Sequence, residues 1–185
     1  MTDNFERFVS ESTKLHQETL SEQIRLSADV NKYSTWFLGL STAGIWLLIS
    51  RFEAIVQKSW IDPNCIKPAL FTVGVLLFLS IAQGILHHYL SIKERNCARV
   101  LIVMFGAQRL IPFFKHPDYP NDVIPEDMHN RISRGELLNN EKIPKFENTQ
   151  EQAKSLRNYK SKVLAVQQIC SGFSYVLFFV CSITK

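Results

Sequence analysis

The stretch from Tyr33 to Ser50 (YSTWFLGLSTAGIWLLIS) contains no charged residue, and the stretch from Pro68 to Leu90 (PALFTVGVLLFLSIAQGILHHYL) contains no Asp, Glu, Lys or Arg. A helix needs about 20 predominantly apolar residues to cross a hydrocarbon core of about 30 Å, and both runs meet that length. A third run, Val163 to Ile183 (VLAVQQICSGFSYVLFFVCSI), is more polar because it holds Gln167, Gln168, Ser171 and Ser174. A chain of 185 residues has too few others to cover three such helices in water. The reading is an all-α, helical integral membrane protein with three transmembrane helices and cytoplasmic helical extensions. Pro68 is expected to open the second helix, where its missing N–H costs little.

Four segments follow: a cytoplasmic amphipathic helix over 1–32, a two-span hairpin over 33–92, a cytoplasmic helix and Pro-rich insert over 93–160, and a third span over 161–185. The polar residues before Tyr33, with Asp3, Glu6, Glu11, Glu18, Glu22 and Asp29, do not read as a signal peptide, so the first span is expected to be an uncleaved anchor. The link between the first two spans carries only Arg51, Lys58 and Lys67, whereas Lys93 to Lys160 carries twelve Lys and Arg. The positive-inside rule then puts the N-terminus and 93–160 in the cytoplasm, with the turn around Asp62, Pro63 and Asn64 outside.

Composition excludes several functions. The 21 Lys and Arg are offset by 17 acidic residues, so direct nucleic-acid binding is not expected. Cys65, Cys97, Cys170 and Cys181 lack metal-ligand spacing, as do His16, His87, His88, His116 and His129. No metal or cofactor is expected. No Gly-rich phosphate loop, serine elbow or paired intramembrane carboxylates are present, so no catalytic residues are assigned and the chain is not expected to be an enzyme.

The polar segments carry helical patterns. Asn4 to Asn31 holds no Pro or Gly and spaces Phe8, Leu15, Leu20, Ile24 and Val30 roughly as a helix does, which predicts a helix running on into the first span. From Asp3 to about Val56 it would measure on the order of 80 Å. Its narrow apolar stripe suits helix pairing; lying along the lipid surface is the other reading, which its acidic residues disfavour. From Glu94 to Ile111, Arg95, Arg99 and Arg109 share one helical face. These arginines either reach lipid headgroups, pair with acids of the N-terminal helix, or line a site for an anionic ligand. The run is either an interfacial helix or an extension of the second span. The segment from Pro112 to Lys145 holds five prolines and reads as a loop-rich insert with a short helix near Pro125. Thr149 and Gln152 have capping-box spacing, which predicts a helix starting there and running into the third span.

Inside the membrane, Thr72, Ser80, Gln83 and His87 fall near one face of the second span, and Gln167, Ser171, Ser174 and Cys181 near one face of the third. Polar side chains in a bilayer require protein or water as neighbours. Two such seams imply either hydrogen bonds between helices, aided by Gly39, Ala43, Gly44, Gly84 and Gly172, or the lining of a conduit formed by several copies.

The run LHQETLSEQIRLSADVNKYSTWFLGLSTAGI passes from a polar helix directly into the hairpin. Over roughly residues 10–110 this layout resembles the small membrane effectors of bacterial anti-phage systems, namely SLATT-type two-span domains and the two-span effectors of retrons. The likeness is one of architecture without a diagnostic motif, and this chain adds an insert and a C-terminal span. It implies an inner-membrane protein, held silent by a cytosolic partner, that oligomerises or opens on infection. The expected function is therefore an oligomeric inner-membrane effector or pore, with the lipid bilayer, further copies of itself and a cytosolic protein as partners. The alternative is a non-conducting scaffold or sensor that tethers a cytosolic protein to the membrane.

Overall fold

The computed structural model describes residues 3–108, 130, 133–134 and 145–183. Three long helices dominate them: α1 (Asp3–Lys58), α2 (Pro63–Gln108) and α3 (Phe146–Ser182). Each is long and apolar enough to cross a membrane, so the all-α architecture with three candidate spans is as the hydropathy implies. The expected continuity of α1 holds, and Glu94 to Gln108 is a direct extension of the second span. Arg109, most of the Pro-rich insert with its expected helix near Pro125, and Thr184 and Lys185 lie outside the described residues.

Two helix starts differ from the sequence reading. The second helix begins at Pro63, with Asp62 as its cap: Asp62 Oδ1 accepts the Asn64 N–H at 2.7 Å, and the Asp62 carbonyl accepts Cys65 N–H and Ile66 N–H at 2.9 and 3.0 Å. Pro68 thus sits inside the helix, in its second turn and exposed, where it has no N–H to give the Asn64 carbonyl. Fully buried Ile66, packed in the apolar core, holds this earlier turn in place. The third helix begins at Phe146 rather than at Thr149. Thr149 N–H and Thr149 Oγ1 both donate to the Lys145 carbonyl, at 3.0 and 2.7 Å, which places Thr149 within the first turn and not at the cap. Phe146 is buried edge-on against Phe105, and Lys145 takes a left-handed backbone conformation (φ 65°) to deliver it.

By its packing the chain divides into two units, one of residues 1–28 and 92–157, the other of 29–91 and 158–185. Each helix contributes residues to both. In the second unit, Ile66, Leu70, Val73, Leu77, Ser80, Gly84, His87 and Ser91 of α2 are buried at alternating steps of four and three, with Leu90 buried beside them. The matching positions of α1 are Ser34, Ser41 and Leu48, and those of α3 are Lys160, Gln167, Ser174 and Cys181, each seven residues apart. In the first unit, the buried residues are Glu94, Ala98, Leu101 and Phe105 on α2, Ser12, Thr13 and Ser27 on α1, and Phe146 and Ala153 on α3. A burial repeat of 3.5 residues is the signature of knobs-into-holes packing.

The core of the second unit changes character along its length. Near the α1–α2 link it is apolar, built from Leu48, Ile66, Leu70, Val73, Leu77 and Cys181. Most of the remaining buried positions are polar, with serine, glutamine, histidine, asparagine and lysine among them, beside the glycines Gly44 and Gly84 and the apolar Leu90 and Val163. Large side chains on the outside of the same unit, including Trp36, Trp46, Phe71, Phe78, Phe173 and Phe179, are exposed, an apolar surface suited to lipid.

Candidate functional site

The polar half of that core is a hydrogen-bonded seam among three helices. Ser34 Oγ donates to Gln167 Oε1 at 2.8 Å, and Gln167 Nε2 donates back to the Ser34 carbonyl at 3.1 Å. Ser41 Oγ donates to Ser80 Oγ at 2.8 Å and stands 3.5 Å from Ser171 Oγ. Ser80 Oγ in turn donates to the Gln167 carbonyl at 3.4 Å, a long bond, and Ser174 Oγ to the Ser171 carbonyl at 2.7 Å. Ser91 Oγ donates to Asn31 Oδ1, and His87 is fully buried on the same face of α2. Each group sits at a position where an ordinary helical bundle would place Leu or Val.

Glycines let the helices close on this seam. A Cβ at Gly84 would fall 2.6 Å from Gln167 Nε2 and 2.9 Å from Leu38 Cδ1, so only glycine leaves the amide room to reach Ser34. A Cβ at Gly44 would meet Tyr175 Oη at 3.0 Å, and that hydroxyl donates to the Leu40 carbonyl.

Of the residues expected to form polar seams, Ser80, His87, Gln167, Ser171 and Ser174 are buried on this face. Thr72 is not: it is exposed, and its hydroxyl bonds back to the Pro68 carbonyl of its own helix at 2.9 Å. Gln83 is half-buried beside the seam. Sequence reasoning missed Asn31, Ser34, Ser41 and Ser91, all of which face inward. The signal was present in the seven-residue step from Ser27 through Ser34 and Ser41 to Leu48.

No protein-family model, curated protein or solved structure matches the chain. The seam is built from uncharged side chains. Its donors and acceptors are neutral hydroxyls and amides, which hold helices together when paired with each other and interact with water or a passing ion when exposed.

The first unit has a second polar centre. Glu94 is buried; its Oε1 accepts from Arg157 Nε at 3.1 Å and its Oε2 from Ser27 Oγ at 3.3 Å. Arg157 Nη2 also donates to Gln23 Oε1 at 2.6 Å, so one guanidinium joins α3 to both other helices. His16 stacks on Phe105 with ring centroids 5.0 Å apart, and Phe105 meets Phe146 edge-on at 5.1 Å. The expected arginine face lies beside this centre on α2: Arg95 is half-buried and Arg99 is exposed next to Val100, Val103 and Met104, while Arg109 is outside the described residues. Among the described residues no three His, Cys, Asp or Glu side chains are grouped to hold a metal ion.

Proposed function

We propose that this chain is an oligomeric effector of a bacterial inner membrane, whose spans repack to breach the membrane when its unit of residues 1–28 and 92–157 receives a cytosolic signal or partner. The observation that carries this reading is the polar half-core of the spans. Buried interhelical hydrogen bonds in a membrane protein contribute only about 0.6 kcal/mol on average, because helices apart in the bilayer find other partners. A bundle held by Ser34, Ser41, Ser80, Gln167, Ser171 and Ser174 is thus more easily opened than one packed with leucine, and opening it presents a row of hydroxyls and amides that a conduit can use. Gly39 and Gly172, where an added Cβ would meet nothing within 4 Å, leave outer faces that a further copy can approach closely. The excess of Lys and Arg in 93–160 supports a cytoplasmic location for that segment, and the architectural likeness to anti-phage effectors supports a role in defence.

The test is membrane depolarisation in cells overproducing the chain, compared with Gln167→Leu and with Ser34→Ala/Ser41→Ala. Leakage that changes with the seam supports the effector. An undisturbed membrane potential for every variant, at matched membrane levels, removes it.

A second reading is supported by the pairing of Ser34, Ser41 and Gln167 within one chain, which leaves a closed bundle self-sufficient. In that case the chain is a non-conducting scaffold or sensor that tethers a cytosolic protein. Co-purification of a stoichiometric soluble partner with the full chain, without ion leakage, distinguishes it.

A further inference from the structure

A groove of about 890 Å³ runs along the second unit between the end of the first span and the start of the second. Its walls are apolar, with Leu48, Phe52, Leu70, Phe71 and Phe78 among them, and its volume lies within the range of about 300–1,000 Å³ seen for small-molecule sites. Gly74 opens the floor: a Cβ there would press on Leu48 Cδ2 at 3.3 Å. Two charged residues of opposite sign, Glu53 on α1 and Lys67 on α2, line the same groove. Both are exposed, and neither forms an ion pair with another of the described residues.

The dimensions select the occupant. From Lys67 to Leu79, α2 advances about 18 Å at about 1.5 Å per residue. That is slightly more than one leaflet of a hydrocarbon core about 30 Å thick. The charges sit at the end near the α1–α2 link, where exposed Trp60 marks the level of an interfacial aromatic. An apolar slot one leaflet deep, with an ammonium and a carboxylate at its mouth, is complementary to a phospholipid whose headgroup carries a phosphate and a primary amine.

We infer that this groove is a binding site for an aminophospholipid of the phosphatidylethanolamine class. An acyl chain lies against Leu70, Phe71 and Phe78, Lys67 Nζ donates to the phosphate, and the Glu53 carboxylate accepts from the headgroup ammonium. The site is independent of whether the spans conduct.

The full chain, reconstituted in vesicles containing equal parts of phosphatidylethanolamine, phosphatidylglycerol and phosphatidylcholine, is extracted in mild detergent and its retained lipid is read by native mass spectrometry. Phosphatidylethanolamine is expected to be retained in preference to both others. Lys67→Gln is expected to weaken retention of every phospholipid by about tenfold, the scale of one charge-assisted hydrogen bond. Glu53→Gln is expected to abolish the preference for phosphatidylethanolamine over phosphatidylglycerol while leaving lipid bound. Gly74→Leu fills the floor and is expected to expel all three; because it touches the core, the two exposed charge variants carry the test if it does not fold. Equal retention of the three lipids by the unaltered chain overturns the assignment. So does retention that neither charge variant changes, or cross-linking through Phe71 and Phe78 that shows a second copy seated in the groove.

Discussion

Gln167 and Ser34 bond to each other twice, the hydroxyl donating to the amide oxygen and the amide nitrogen donating to the backbone carbonyl of the same serine. This reciprocal pair locks the third span to the first in one register. A double-mutant cycle of Ser34→Ala and Gln167→Leu in detergent, followed by reversible unfolding, is expected to give a coupling of about 0.6–1.7 kcal/mol. Additive effects would show that the pair contributes nothing to holding the spans.

Gly84 and Gly39 should respond oppositely to the same substitution. Gly84→Ala puts a methyl group within 2.6 Å of Gln167 Nε2, so a loss of about 1–3 kcal/mol is expected, together with breakage of the Ser34 pair. Gly39→Ala meets nothing within 4 Å and is expected to be neutral or to add up to about 1 kcal/mol, since alanine is the better helix former. Thermal denaturation of both variants in the same detergent compares them directly. A Gly84→Ala protein as stable as the parent would mean the helices are not this close.

In the first unit, the weight falls on Glu94 rather than on the arginines beside it. Arg157→Met leaves a buried carboxylate without its cation. Loss of one partner of a buried pair costs about 3–5 kcal/mol, but the Arg157 side chain is 45% exposed, so a loss of only about 1–2 kcal/mol is expected after solvent screening. Arg99→Met, at an exposed position, is expected to change stability by less than about 0.5 kcal/mol. Hydrogen exchange over 146–157 reads the difference, with faster exchange for Arg157→Met alone. Equal exchange in the two variants would assign Glu94 no anchoring role.

Lys145 holds a left-handed conformation that costs a non-glycine residue about 1–2 kcal/mol. Lys145→Gly is therefore expected to raise the stability of the first unit by about 0.5–1 kcal/mol after the added freedom of the unfolded chain is set against it. Lys145→Val, β-branched at the same backbone angles, is expected to destabilise it and to loosen Phe146 from Phe105. Limited proteolysis near residue 145 ranks the three proteins; Val and Gly behaving alike would contradict the assigned backbone.

The number and position of the candidate spans were legible in the chain because hydropathy over some twenty residues is a local property that a bilayer reads directly. The unbroken run of α1 was equally legible, since no proline or glycine interrupts Asn4 to Asn31. Helix starts were less so. Pro68 looked like an opening residue because the apolar run begins there, but Asp62 caps the helix earlier and buried Ile66 holds that turn.

Which polar residues meet was decided by tertiary structure. Thr72 and Ser80 are eight residues apart and share a face only approximately, whereas the packed helices follow a seven-residue repeat that takes Val73, Ser80 and His87 inward and leaves Thr72 outside. Ser34 and Ser41 lie on the seven-residue step from Ser27 to Leu48, but that step does not name their partners, because a lone serine in an apolar helix is nearly neutral until Gln167 or Ser80 stands opposite it. The residues of one chain thus determine on their own that three helices are long and apolar enough to cross a membrane. Their partners across the bundle are set only when three helices adopt a common register, since a hydrogen bond needs both of its ends within about 3 Å.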